Sequence, residues 1–223
     1  KCLKIVKKKH QTTIKKNLKF IKYNANKKVL IRWSKNIPND IEKLWSIFSK
    51  NFECCIQKNL NYLNKRYVKS PFQEYDILTF RNKSNSLLGV SIIRFQKTPL
   101  GICSRIVDFM SLPTYEFDIW QETLKECESK NSIFTDFIVM GTSQDKHILN
   151  AGFQLATKKN NFDEIPNLLS PIEYRKWSYT FHLSGYLPKK LKNWRHGDRI
   201  WFTKGDGDRD WPTPYDLNNL NLN

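Results

Sequence analysis

Between residues 75 and 110 three apolar, strand-like runs follow one another with no helical stretch among them, and this succession most limits the folds open to the chain. The runs are 75–81 (YDILTFR), 87–96 (LLGVSIIRFQ) and 104–110 (SRIVDFM). The first two are separated by Asn82-Lys83-Ser84-Asn85, a hairpin signal. Upstream lies a short apolar strand, 29–33 (VLIRW), and then a helix opened by Pro38 and Asp40. Its apolar residues Ile41, Leu44, Trp45 and Phe48 fall at helical spacing. A second helical stretch carries Leu60, Leu63 and Tyr67 and is closed by Ser70-Pro71, because proline disfavours a helical residue before it.

Downstream, Asp118 is placed to cap a helix running to about Glu128, with Ile119, Leu124 and Cys127 on its buried side. A strand over 134–141, a short helix over 143–150, an irregular stretch over 154–176 and strands over 177–183 and 199–203 follow. Doubly wound dinucleotide folds alternate strand and helix from the start and carry a glycine-rich fingerprint, which this sequence lacks. The expected class is therefore α/β (α+β), a mixed central sheet with helices on both faces.

Charge divides the chain. Residues 1–39 hold 13 of the 38 basic residues and none of the 21 acidic ones, so the net charge of +17 sits mostly in a leading segment. Such a segment attracts phosphates or an acidic membrane surface, or is simply a solvated linker. The expected division is a basic linker or tail of a preceding domain over 1–28, one domain over 29–210 and a polar tail over 211–223. The first residue is Lys, so the chain is expected to be the later part of a longer protein. No apolar run approaches the roughly 18 residues that span a bilayer. Cys2, Cys54, Cys55, Cys103 and Cys127 show neither a C-x-x-C pair nor a disulfide framework, which fits reduced thiols and a cytoplasmic location. His10, His147, His182 and His196 share no metal-ligand spacing.

Four passages carry a family resemblance. The segment 61–67 (NYLNKRY), followed by Pro71 and Tyr75, resembles a Tyr-Leu-x-x-Arg-Tyr passage before the central hairpin of bacterial members of the GNAT superfamily of acyl-CoA-dependent N-acyltransferases. The run 105–109 (RIVDF) resembles that family's central strand, and 149–153 (LNAGF) its helix ending before the last strands. The closing 201–208 (WFTKGDGD) is similar to the end of GNAT-like domains found with bacterial surface-polysaccharide enzymes, some of which carry two such domains in tandem. The resemblance implies a small-molecule amine, such as an amino sugar, as acceptor, acetyl-CoA or another acyl-CoA as donor, and a preceding GNAT domain as a possible partner.

In that family the cofactor pyrophosphate rests on backbone N–H groups of a glycine-containing loop at a helix N-terminus. The corresponding positions here are Phe109, Met110, Ser111 and Leu112, leading into a stretch to Asp118 that has no glycine and contains Pro113, Glu116 and Asp118. The family's frequent tyrosine acid falls at Ile148, which leaves the adjacent His147, or Tyr115, as candidate proton donors. Asp108, alone in an apolar strand, could take a proton from the amine or hold its ammonium; equally it could be a hydrogen-bonded buried carboxylate. Arg66 and Tyr67 could bind a sugar or carboxylate, with Tyr67 also readable as core.

Asp206, Asp208 and Asp210 alternate as in a calcium loop, but Trp211 and Leu217 stand where glycine and glutamate belong, so a solvated turn is the better reading. Two alternatives to a working transferase stay open: a catalytically silent GNAT-like domain beside an active neighbour, and a nucleic-acid module using the basic leader. The near-balanced charge of the remaining chain disfavours the second.

Overall fold

A computed structural model of the chain describes Tyr23 and residues 28–98, 101–141, 145–153 and 200–207. In chain order the elements are β1 (Leu30–Ser34), α1 (Ile41–Phe48), β2 (Cys54–Cys55) and α2 (Leu60–Leu63), which continues as a π-helical turn over Asn64–Val68. There follow β3 (Asp76–Arg81), β4 (Leu87–Thr98), β5 (Gly101–Ser111), α3 (Glu116–Ser129), β6 (Ser132–Phe137), β7 (Val139–Met140), α4 (Asp145–Asn150) and β8 (Ile200–Thr203). The main sheet has the order β1-β3-β4-β5-β6, and β2, β8 and β7 make a second, short sheet. All pairs of the main sheet are antiparallel except β5 with β6. The expected mixed α/β architecture is observed, and the strand expected at 177–183 lies outside the described residues.

The helical periodicity of α1 does what it predicts: Ile41, Leu44, Trp45 and Phe48 are all buried. Each such side chain contributes roughly 1.5–3 kcal/mol on burial, so this one face accounts for most of the helix's stability. Asp40 stands at the N-cap but its side chain does not cap. Its carboxylate instead accepts two 2.8 Å hydrogen bonds from Arg81, tying the start of α1 to the end of β3. Those bonds to Arg81 hold the Asp40 carboxyl below its ordinary pKa.

Three local expectations are corrected. Helix α3 begins at Glu116 rather than at an Asp118 cap, because Tyr115 N–H closes a turn on the Leu112 carbonyl with Thr114 at φ 73°, and Ile119 N–H already bonds to Tyr115. Asp118 is thus a buried first-turn residue. The single strand expected over 134–141 is two: β6 pairs with β5, the pairing breaks at Ile138, and β7 pairs with β8. The second helical stretch tightens into α2 and then widens, Lys69 N–H reaching the Asn64 carbonyl five residues back.

Two further features position the site. Along β4–β5 the register shifts between Ile92 and Ile93, so Ile92 faces Asp108 while Ile93 faces Ile106. Asp108 and Phe109, successive residues of β5, point to opposite faces, and the bulge at Val107 sets which face each takes. Phe109 stacks on Trp120 of α3, with ring centroids 3.7 Å apart, and Ser91 and Thr123 share a 2.8 Å hydrogen bond on that same side. Gly89 lies beneath Ile119, and a Cβ there would overlap the Ile119 side chain. Gly89→Ala is expected to cost about 1–3 kcal/mol in denaturant unfolding. Ile119→Val in the same chain should recover part of that loss.

Candidate functional site

Asp108 is fully buried on the face away from α3, and a lysine that no sequence motif singled out meets it there. Lys58 lies in the connector between β2 and α2 and has no exposed surface. Its Nζ lies 2.6 Å from Asp108 Oδ1, 2.9 Å from Asp206 Oδ2 and 3.3 Å from Thr203 Oγ1. A primary ammonium has three donors, and these three oxygens satisfy them.

The acceptors are themselves held by other groups. Tyr67 O–H donates to Asp108 Oδ2 at 3.0 Å, and the Phe109 N–H donates to Asp108 Oδ1 at 2.9 Å. Asp206 closes the turn after β8, where the Thr203 N–H and O–H donate to its Oδ2 at 2.8 and 3.2 Å, and Tyr62 O–H reaches its Oδ1 at 3.3 Å. Arg66 secures the same turn from outside, donating to the Gly205 carbonyl at 2.8 Å and the Gly207 carbonyl at 3.2 Å. Gly205 permits this closeness: any Cβ there would overlap the Tyr67 hydroxyl and press on the Val107 carbonyl.

Burial disfavours charge on Lys58, but the two carboxylates outweigh it and leave its pKa above the ordinary lysine value. Burial, and then Asp206, raise the Asp108 pKa from its ordinary value despite the pull of Lys58. Tyr67 is pushed far up, first by burial and then by Asp108 and Asp206, so its phenol stays a donor. Half-buried Cys55 is raised by burial against the attraction of Lys58, which makes it a protonated thiol and no ready nucleophile. Among the described residues, no group of acidic, histidine or cysteine side chains is arranged to hold a metal ion, and no helix is long and apolar enough to cross a membrane.

The structure therefore brings together Arg66, Tyr67 and Asp108 from the sequence-derived candidates, and adds Lys58, Tyr62, Thr203 and Asp206. Phe109, Met110 and Ser111 continue along β5 as buried residues, and half-buried Leu112 donates its N–H to the Leu88 carbonyl at 2.7 Å. Tyr115 lies at the N-cap of α3, packed against the core, and His147 is on α4. Asp206, placed in a solvated turn on sequence grounds, is instead a buried partner of Lys58, since the side chains of α2 and the Lys58 connector close over its turn. Only Asp108, between Val107 and Phe109, carries a local signal; Lys58 lies between Gln57 and Asn59 and Asp206 between two glycines, and charges drawn into a core must meet.

Beyond Ile106 and Phe137, the last paired residues, β5 and β6 part. Phe109, Trp120, Phe137 and Phe153 lie around the parting, with Trp120 centroids 4.8 Å from Phe137 and 5.4 Å from Phe153. Phe137 also reaches Trp201 of β8 at 6.1 Å.

No protein-family model matches the chain, and no curated protein does. Solved structures with loose overlap of fold include the aminoglycoside antibiotic 6'-N-acetyltransferase of Acinetobacter baumannii, at 10% identity and TM-score 0.40, covering 71% of this chain and 100% of that one. An aminoglycoside acetyltransferase from an uncultured soil metagenomic sample gives 13% identity and TM-score 0.40, over 72% and 100%. A GNAT family acetyltransferase of Staphylococcus aureus gives 16% identity and TM-score 0.35, over 49% and 84%. These are likenesses of fold, from which no activity follows.

Removing one member of a buried ion cluster strands the others. Lys58→Met is expected to lower stability by about 3–5 kcal/mol in denaturant unfolding, and adding Asp108→Asn and Asp206→Asn to it should restore a large share. The Lys58 pKa is raised on folding, so its stabilisation is complete below the unfolded lysine pKa of about 10.4 and drains away as pH climbs through the folded value. The alkaline loss of stability should be shallower in Lys58→Met, measured as unfolding midpoint against pH.

Proposed function

We propose that this chain carries a GNAT-like domain that does not itself transfer an acyl group, and that supports, or binds a ligand beside, an active neighbouring domain. The observation that carries this reading is the set of aromatic rings around the parting of β5 and β6. An acyl-CoA lying along this strand would need open space beside it and a pyrophosphate seat at the start of the following helix. Here the Phe109–Trp120 stack, with rings inclined by only 9°, lies beside that parting. The Phe109 N–H, on the same strand, is already bonded to Asp108 Oδ1.

The helix start fits a pyrophosphate no better. Glu116 and Asp118 are both buried in the first turn of α3, where two carboxylates repel an anion that the helix dipole would otherwise favour. Pro113 contributes no N–H to the preceding loop, and the Leu112 and Tyr115 N–H groups bond to main-chain carbonyls. The residues present therefore do not suit acyl-CoA.

A second reading is acyl-CoA-dependent N-acylation of a small amine such as an amino sugar, in a cytoplasmic route to a bacterial surface polysaccharide. One observation favours it: Asp108, with Tyr67 donating to it, holds a primary ammonium. Calorimetric titration of the full chain with acetyl-CoA and with free CoA separates the two. The first reading predicts no binding heat up to millimolar ligand. Micromolar binding of acetyl-CoA would overturn it in favour of the second.

A further inference from the structure

Lys58 arrives on a connector, whereas the groups around its Nζ belong to the packed body. Asp108 is fixed in β5, opposite Ile92, by Tyr67 O–H and the Phe109 N–H. Asp206 is fixed in the turn after β8 by the Thr203 N–H and O–H, and Arg66 holds the carbonyls on either side of it. Thr203 Oγ1 gives its proton to Asp206 and keeps a lone pair for Lys58. None of these supporting bonds involves Lys58, so each of the three acceptors has a partner that holds it besides Lys58.

Three fixed acceptors converging on one nitrogen make a receptor for R–NH3+. A guanidinium, a planar fork, matches that convergence poorly, and a tetraalkylammonium offers no donor at all. Among the contacts of the described residues, two carboxylates meet the Lys58 ammonium, and Tyr62, Tyr67, Thr203 and the Phe109 N–H, which also donate to them, are neutral. A neutral occupant would leave both carboxylates buried without a counter-charge.

We propose that Asp108, Asp206 and Thr203 form a primary-ammonium binding site, and that Lys58 is its resident ligand, supplied by the chain itself. The resident excludes any external amine from Asp108 in the native fold. A free primary amine enters only when the four-carbon arm of Lys58 is absent or its connector withdraws. The seat rests on neither reading of acyl-CoA binding: it stands on its own bonds, so it survives a blank CoA titration.

The test truncates the resident and offers a replacement. In the full chain, Lys58→Ala removes the atoms of a propylammonium ion, while Lys58→Met removes the charge and leaves the space filled. Thermal unfolding of both variants is followed with n-propylammonium, 1-propanol and tetramethylammonium at equal concentration. The expected result is a saturable rise of several degrees in the midpoint of Lys58→Ala with n-propylammonium alone, and no such rise in Lys58→Met. An equal response to 1-propanol would mean simple cavity filling and would overturn the proposal, as would no response in a folded Lys58→Ala. Should Lys58→Ala fail to fold alone, recovery of native circular dichroism on refolding with n-propylammonium, but not with 1-propanol, supports the site. Failure with all three additives overturns it.

Discussion

A charge taken fully out of water must be neutralised where it lies, and the structure is arranged around one such obligation. Lys58, Asp108 and Asp206 come from a connector, a central strand and a terminal turn that are far apart in sequence, and all three have little or no exposed surface. The desolvation penalty for ions so buried is several kcal/mol each, and only close pairing with complete hydrogen bonding offsets it. Tyr62, Tyr67, Thr203 and the Phe109 N–H complete that bonding. Displacing any one element would strand a buried charge, so the short second sheet is pinned to the main one by electrostatics as well as by packing.

Apolar packing does the same work on the opposite face of β5. Trp120 stacks on Phe109 and meets Phe137 and Phe153, while Phe137 and Trp201 continue the aromatic contact toward Phe48 and Phe52. The bulge at Val107 separates the two regimes: it sends Asp108 to the ionic face and Phe109 to the aromatic one. A single residue of register thus decides which of two neighbouring positions on β5 meets which chemistry. It also explains why a strand so well suited to hold an amine at one face is filled with rings at the other.

The sequence made the scaffold legible wherever periodicity was strong. The spacing of Ile41, Leu44, Trp45 and Phe48 gives α1, and the apolar runs about the Asn82–Asn85 turn give β3 and β4. Local signals failed where tertiary contacts prevailed. Asp118 looks like a cap but is buried in the first turn, and Asp40 occupies a cap position but spends its carboxylate on Arg81. At the site, Asp108, Tyr67 and Arg66 stood out by type and setting. Lys58 did not, because a lysine in a polar stretch (QKN) looks solvated, and its burial is decided by Asp206, 148 positions further along. Pairing of that kind has no local signature.

The most direct measurement is a lysine-selective nitrogen-15 spectrum of the full chain at neutral pH. An ammonium with all three protons bonded to buried oxygens exchanges slowly with water, whereas exposed lysines exchange too fast to be seen. The account predicts a slowly exchanging ammonium resonance that disappears in Lys58→Met. A spectrum in which no resonance is assignable to Lys58 would mean that its side chain is open to solvent, and would contradict the buried clasp on which the fold and the site both depend.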